Sequence, residues 1–104
     1  MDYRVVITEE AEEDLNHFIQ YLLFVKKNEQ AAKNVLDDFE ETVVMLKHVA
    51  SSLKPCDNPR LKSLGYHRIN FQKHRYFILY RIENNVVFVD DIFHELQDYE
   101  NIMM

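Results

Sequence analysis

Hydrophobic residues recur at helical spacing in two stretches of the first half of the chain. The first stretch predicts a helix over residues 9–26, with Thr8 as its N-cap and acidic residues in its first turn. The second predicts a helix over residues 29–49, which Asn28 caps. The apolar positions are Ala11, Leu15, Phe18, Ile19, Leu22 and Val25 in the first helix, and Ala32, Val35, Leu36, Phe39, Val43 and Leu46 in the second. Two such helices joined by a few residues predict an antiparallel hairpin that packs on a sheet.

The pattern becomes that of β-strands on both sides of this hairpin. Residues 3–7 are rich in β-forming side chains and predict a first strand. After a loop over residues 51–59, strands are predicted over 60–64, 66–71, 75–82 (a central strand) and 86–93, with a turn at 83–85 and a short terminal helix over 95–104. The order predicts an α+β fold in one domain, residues 1–104. A mainly antiparallel β-sheet would carry the helical hairpin on one face.

Composition narrows the classes of protein that fit this fold. Cys56 is the only cysteine, so no intramolecular disulfide can form, which suits a reducing cytoplasm. The sequence shows neither a secretory leader nor an apolar run near the ~20 residues that span a bilayer. We therefore expect a cytoplasmic protein with no membrane partner. The five histidines and one cysteine lack zinc-site spacing, and the single glycine excludes a phosphate-binding loop, so no metal and no cofactor are predicted.

The net charge of −6 conceals an uneven distribution along the chain. From Lys47 to Arg81 the segment carries a net +7, whereas the remainder carries −13. The basic middle can bind an anionic partner, or it can simply reflect exposed strand positions. The adjacent Asp90 and Asp91 should point in opposite directions on a strand, so no carboxylate dyad is predicted there.

Several local motifs, in this order, resemble RelE/ParE toxins along essentially the whole chain, and most closely ParE-like members. They are the opening strand, Thr cap and acidic helix of residues 3–15, the segment 61–69, the strand 76–82 that ends in Tyr-Arg-Ile, and the closing segment 92–100 with its His-x-x-x-Asp pattern. The resemblance implies the toxin of a bacterial type II toxin–antitoxin pair, of the kind that also stabilises plasmids. A cognate antitoxin would be its partner, and the toxin surface left bare without it could pair two copies as a homodimer.

The resemblance implies two kinds of growth inhibition. RelE-like members cut messenger RNA on the ribosome without a metal, whereas ParE-like members poison DNA gyrase and are not nucleases. RNA cleavage needs phosphate stabilisation and proton transfer, for which Arg and His are suited. The resemblance matches Arg68, Arg81 and His94 to functional positions of nuclease members, which makes them the candidate catalytic residues. The candidate RNA- or target-binding residues are Arg60, Lys62, Arg75 and Tyr99.

Structural roles compete with these assignments. Arg81 can pair with Asp90 or Asp91 across the turn between the last two strands, and His94 can simply anchor the tail. Carboxylates around His94 would repel an RNA backbone, which favours a protein target over a nuclease. Three functions therefore stay open: a toxin with a protein target such as gyrase, a ribosome-dependent endoribonuclease, and an inactive relative that binds only its antitoxin.

Overall fold

A computed structural model describes residues 2–97 and residue 102. In chain order the elements are β1 (Arg4–Ile7), α1 (Glu9–Gln20), a π-helical turn (Tyr21–Val25), α2 (Glu29–Val49), a 3-10 turn (Ala50–Ser52), α3 (Pro59–Ser63), β2 (Tyr66–Asn70), β3 (Tyr76–Glu83) and β4 (Val86–His94). The sheet has the order β1-β4-β3-β2. β1 is parallel to β4, and the other neighbours are antiparallel, so the predicted α+β architecture is confirmed.

Side-chain capping fixes where the two long helices begin. The Thr8 hydroxyl accepts the Ala11 N–H, and the Asn28 side chain accepts the Ala31 N–H, as predicted. α2 matches its predicted bounds, but α1 is shorter than predicted. Its last turn widens into the π-helical turn, in which the Lys26 N–H reaches back to the carbonyl of Tyr21.

α3 occupies the segment 60–63, so the strand predicted over 60–64 is wrong. The side-chain oxygen of Asn58 accepts the N–H groups of Arg60 and Leu61, and Pro59 supplies a fixed φ in the first turn. Leu61 is buried against the sheet, which holds α3 in place. Gly65 then takes a φ of +84°, which lets the chain turn directly into β2.

The two faces of the sheet are covered differently. The helix face packs under α1 and α2, and its buried residues include Ile69, Ile78, Tyr80, Val87, Val89 and Ile92. The second face carries a smaller buried cluster made of Cys56, Leu61, Phe77, Leu79 and Phe93. α3 and the preceding loop cover only part of the second face. Polar side chains, Arg68 and Arg81 among them, lie on the rest of it.

A β-bulge interrupts the alternation of β4. Leu79 pairs with Asp91 but Tyr80 pairs with Val89, so Asp90 is the extra residue on β4. Both Asp90 and Asp91 consequently line the same cleft, and the prediction that they point in opposite directions is wrong. No helix among the described residues is long and apolar enough to cross a membrane.

Candidate target-binding face

Two of the candidate residues, Arg68 and Arg81, lie together on the second face. Arg68 pairs with Leu79 in the β2–β3 register, and its guanidinium stacks 3.7 Å from the ring centroid of Phe77. Arg81 stands over the Phe88 ring at 4.4 Å. The Arg68 Nε also donates to the side-chain oxygen of Asn70 at 3.0 Å. Stacking and hydrogen bonding hold both guanidiniums flat against the sheet.

Arg81 is bound by carboxylates on both sides. Its Nε donates to Asp90 at 2.8 Å and its Nη1 to Glu83 at 2.7 Å. Partial burial lowers the pKa of Arg81, but the hydrogen bond to Asp90 and the charges of Asp90 and Glu83 outweigh it, so the pKa is raised overall. Asp90 also accepts the Tyr66 hydroxyl at 2.9 Å, and burial together with this bond raises the pKa of Tyr66 to about 12. Arg81 therefore forms an ion pair with Asp90, as the sequence analysis offered as the structural alternative to a catalytic role.

His94 lies on the other face of the sheet from these arginines. It pairs with Tyr76, and the two rings meet edge to face at 5.0 Å. Its Nδ1 accepts the Leu96 N–H at 3.1 Å, so the ring anchors the chain that leaves β4. Arg68, Arg81 and His94 are therefore not assembled into one constellation in which an acid or base could serve a phosphate held by the arginines.

The described candidate binding residues lie on two different segments of the chain. Arg60 and Lys62 are exposed on α3, and Arg75 is exposed just before β3. Tyr99 and Asp98 lie outside the described residues, as does most of the predicted terminal helix. Among the described residues, no group of three His, Cys, Asp or Glu side chains could hold a metal ion.

An acidic cleft of about 880 Å³ opens beside Arg81, between α1 and the bulge of β4. It is lined by the carboxylates of Glu9, Glu10, Glu13, Asp90 and Asp91 together with Thr8, Tyr66, Arg81 and Ile102. Burial, a hydrogen bond with Asp14 and the charges of Asp14, Glu10 and Asp90 raise the pKa of Asp91 to about 8. Burial and these acidic neighbours therefore favour the protonated form of Asp91.

Sequence reasoning missed two carboxylates that join the helices to the sheet. Asp14 of α1 accepts the Ile92 N–H at 3.0 Å, on the part of β4 that extends past its pairing with β1. Asp38 of α2 binds the loop between β2 and β3. A signal for Asp38 was present, because it falls on the buried side of α2 between Val35 and Thr42.

Comparison with known proteins agrees with this architecture. The family profile described as "ParE toxin of type II toxin-antitoxin system, parDE" matches residues 5–99. The chain belongs to the ParE toxin family. One similar solved structure is a chain of the "Chromosomal ParDE TA system from P. aeruginosa".

That P. aeruginosa chain superposes with a TM-score of 0.70 at 18% identity, over 88% of this chain and 95% of that chain. At this identity the likeness shows a shared fold. No curated protein sequence matches this ParE-family toxin significantly. The predicted resemblance to RelE/ParE toxins, closer to ParE, is confirmed, as is the toxin role in a type II toxin–antitoxin system.

Proposed function

We propose that this ParE-family toxin arrests growth by binding a protein target, with DNA gyrase the family's example. The observation that carries the proposal is the engagement of Arg81 with two carboxylates, 2.8 and 2.7 Å away. A phosphate would have to displace both carboxylates from Arg81. His94, the candidate proton donor or acceptor, stands on the opposite face. This arrangement favours recognition of a protein over cleavage of RNA.

The recognition surface in this proposal is the second face and its rim. Arg68 and Arg81 form its fixed centre, whereas Arg60 and Lys62 on α3 are exposed at its rim. Exposed cations at a rim mainly accelerate and orient encounter with an acidic partner. Arg75 and Tyr99 remain candidate contacts of the target.

The deciding experiment exposes purified gyrase and supercoiled DNA to the toxin and measures supercoiling together with covalent gyrase–DNA complexes. Arg60→Ala combined with Lys62→Ala should raise the half-inhibitory concentration about tenfold, since two exposed charge contacts are lost. Lys33→Ala with Lys47→Ala is the matched control, because it removes the same charge from exposed positions on α2. Growth arrest should follow the same ranking.

The other outcomes separate the competing functions. New RNA 5′ ends inside translated codons, with gyrase unaffected, would establish the endoribonuclease instead. Harmless expression with a tight antitoxin complex would establish an inactive relative. Inhibition that both double variants retain equally would place the gyrase contact away from α3.

A cognate antitoxin is part of the same proposal. The turn that joins α1 to α2 leaves Tyr21, Phe24 and Val25 exposed at 48%, 71% and 65%, which is unusual for side chains of this size. An antitoxin segment that folds on binding would bury them. Without it, the same surface pairs two copies of the toxin. Phe24→Ser should weaken antitoxin binding and abolish any dimer seen by light scattering; unchanged values for both would exclude this surface.

A further inference from the structure

The connection between β2 and β3, here called the clamped loop (residues 71–75), is held from inside by one buried carboxylate. Oδ1 of Asp38 accepts the Gln72 N–H at 2.9 Å. Its Oδ2 accepts the Lys73 N–H at 2.8 Å and lies 2.7 Å from Nδ1 of His74. Three groups of the loop therefore converge on one side chain of α2.

Asp38 keeps its charge although its side chain is only 1% exposed. Burial alone would raise the pKa of this carboxyl, but the hydrogen bonds from His74, Lys73 and Gln72 outweigh burial, so the pKa is lowered. A buried carboxylate is costly unless donors satisfy it, so each partner that the loop supplies lowers the cost of burying the charge of Asp38. The loop conformation and the charge of Asp38 thus stabilise each other.

The ends of the clamped loop are fixed as well. The Phe71 N–H donates to the carbonyl of Tyr76, and the Phe71 ring packs 6.0 Å from that of Phe39, the neighbour of Asp38 on α2. At the other end, the Glu95 N–H donates to the carbonyl of Arg75. A loop tied at both ends and in the middle loses little conformational entropy when it binds a partner.

Two cations project from this fixed loop. The Lys73 side chain is 69% exposed and approaches Glu41 only at 3.7 Å, a long ion pair of little strength. Arg75 is exposed at the last position of the loop. Glu41 and Asp37 lie close to Lys73 and would repel a continuous phosphate backbone, so the attraction at this loop is limited to the two cations and matches a few carboxylates placed at Lys73 and Arg75.

We propose that the clamped loop is a preformed contact for an acidic patch on the toxin's protein target, with Lys73 and Arg75 as contacts and Asp38 as their positioning residue. The inference rests on the proposed function and extends it to a second place on the molecule. The sequence analysis already named Arg75 as a candidate binding residue together with Arg60 and Lys62. The role of Lys73, and of Asp38 behind it, follows from the contacts of α2 with the loop.

The first test removes the two cations. Lys73→Ala combined with Arg75→Ala should raise the concentration for half-inhibition of purified gyrase about tenfold, with an unchanged melting temperature and unchanged antitoxin binding. The control is again Lys33→Ala with Lys47→Ala, which has the same net charge. Inhibition equal to that of the control would overturn the proposal.

The second test asks whether Asp38 acts through the loop. Asp38→Asn keeps one acceptor oxygen and should weaken inhibition in the native background, while amide exchange at Gln72 and Lys73 accelerates. In the Lys73→Ala, Arg75→Ala background the same substitution should weaken inhibition little further, because the contacts it positions are gone. An equal loss in both backgrounds would indicate general destabilisation and overturn the positioning role.

The outcomes for the two proposals are distinct. A wild-type protein with no effect on gyrase would overturn the proposed target and the loop contact together. A wild-type protein that inhibits gyrase, with an unaffected loop variant, would overturn the loop contact alone. Binding to bare duplex DNA that is lost with the two cations would identify a nucleic-acid contact and also overturn the acidic-patch assignment.

Discussion

Asp38 and Asp91 are both withdrawn from solvent at a junction between helix and sheet, yet they reach opposite charge states. Asp38 receives two backbone N–H groups and a histidine, and its pKa falls. Asp91 faces Asp14, Glu10 and Asp90, and its pKa rises to about 8. Burial favours the protonated form of both carboxyls, and the comparison teaches that the neighbours decide the outcome: donors offset burial at Asp38, whereas acidic groups add to it at Asp91.

The strongest test of this comparison removes the carboxylate that has the most donors. Asp38→Ala should lower the free energy of unfolding by about 3 kcal/mol, because two partly buried loop N–H groups and His74 lose the buried carboxylate that they share. Urea unfolding followed by circular dichroism measures this loss. A loss under about 1 kcal/mol would show that water satisfies these groups, and that the clamp contributes little.

Asp90 stands between Asp38 and Asp91 in its surroundings, because it receives hydrogen bonds from Tyr66 and Arg81 but also lies beside Asp91. Arg81→Ala should destabilise the fold by about 2 kcal/mol, since Asp90 is 8% exposed and would keep only the tyrosine hydroxyl. Urea unfolding of Arg60→Ala, an exposed arginine on α3, is the control and should show almost no change. Equal stability of both variants would mean that Asp90 does not depend on its ion pair. Toxicity of Arg81→Ala must therefore be compared at matched folded fraction.

The smallest expected effect concerns the pH dependence set by Asp91. Its pKa is raised from 3.8 in the unfolded chain to about 8, so its stabilising contribution is complete below about pH 4 and is lost as the pH rises through about 8. Because solvent reaches part of this cleft, the loss should be about 1–2 kcal/mol. Asp91→Asn should remove most of this decline in unfolding experiments between pH 5 and pH 9. A decline that persists in the variant would assign it to other groups.

The opposite slope is expected for Asp38. Its pKa is lowered, so its contribution is present above the unfolded value of 3.8 and is lost as the pH falls through its lower folded value. The two carboxyls thus limit stability from opposite ends of the pH range. Asp38→Asn should flatten the acid limb and leave the alkaline limb unchanged.

Local sequence predicted most of the fold because local forces decide it. Thr8 and Asn28 mark the helix starts through their own side-chain bonds, and α2 spans its predicted residues. Asn84 takes a positive φ of 55° in the predicted turn before β4. The segment 60–64 was predicted as a short strand, but the Asn58 cap, Pro59 and burial of Leu61 favour a helix.

The candidate site was less predictable because its chemistry depends on distant neighbours. The sequence offered Asp90 or Asp91 as the ion-pair partner of Arg81, and the structure shows that Asp90, nine residues away, is that partner. His94 was grouped with Arg68 and Arg81 by residue type and family resemblance, whereas strand register puts it on the other face. Asp38 stood among the acidic residues of α2, and its loop partners are 34 to 36 residues away.

The sequence by itself determined the order of the two long helices and the four strands of the sheet, the caps of both long helices and the family, because these depend on residue types and spacings along the chain. The tertiary structure alone decided which basic residues share a face, which carboxyls carry charge and which loop is fixed from within. Those properties depend on packing, register and the β-bulge at Asp90, which bring together groups that are far apart in sequence. The placement of charge on this toxin therefore depends on its fold more than on its composition.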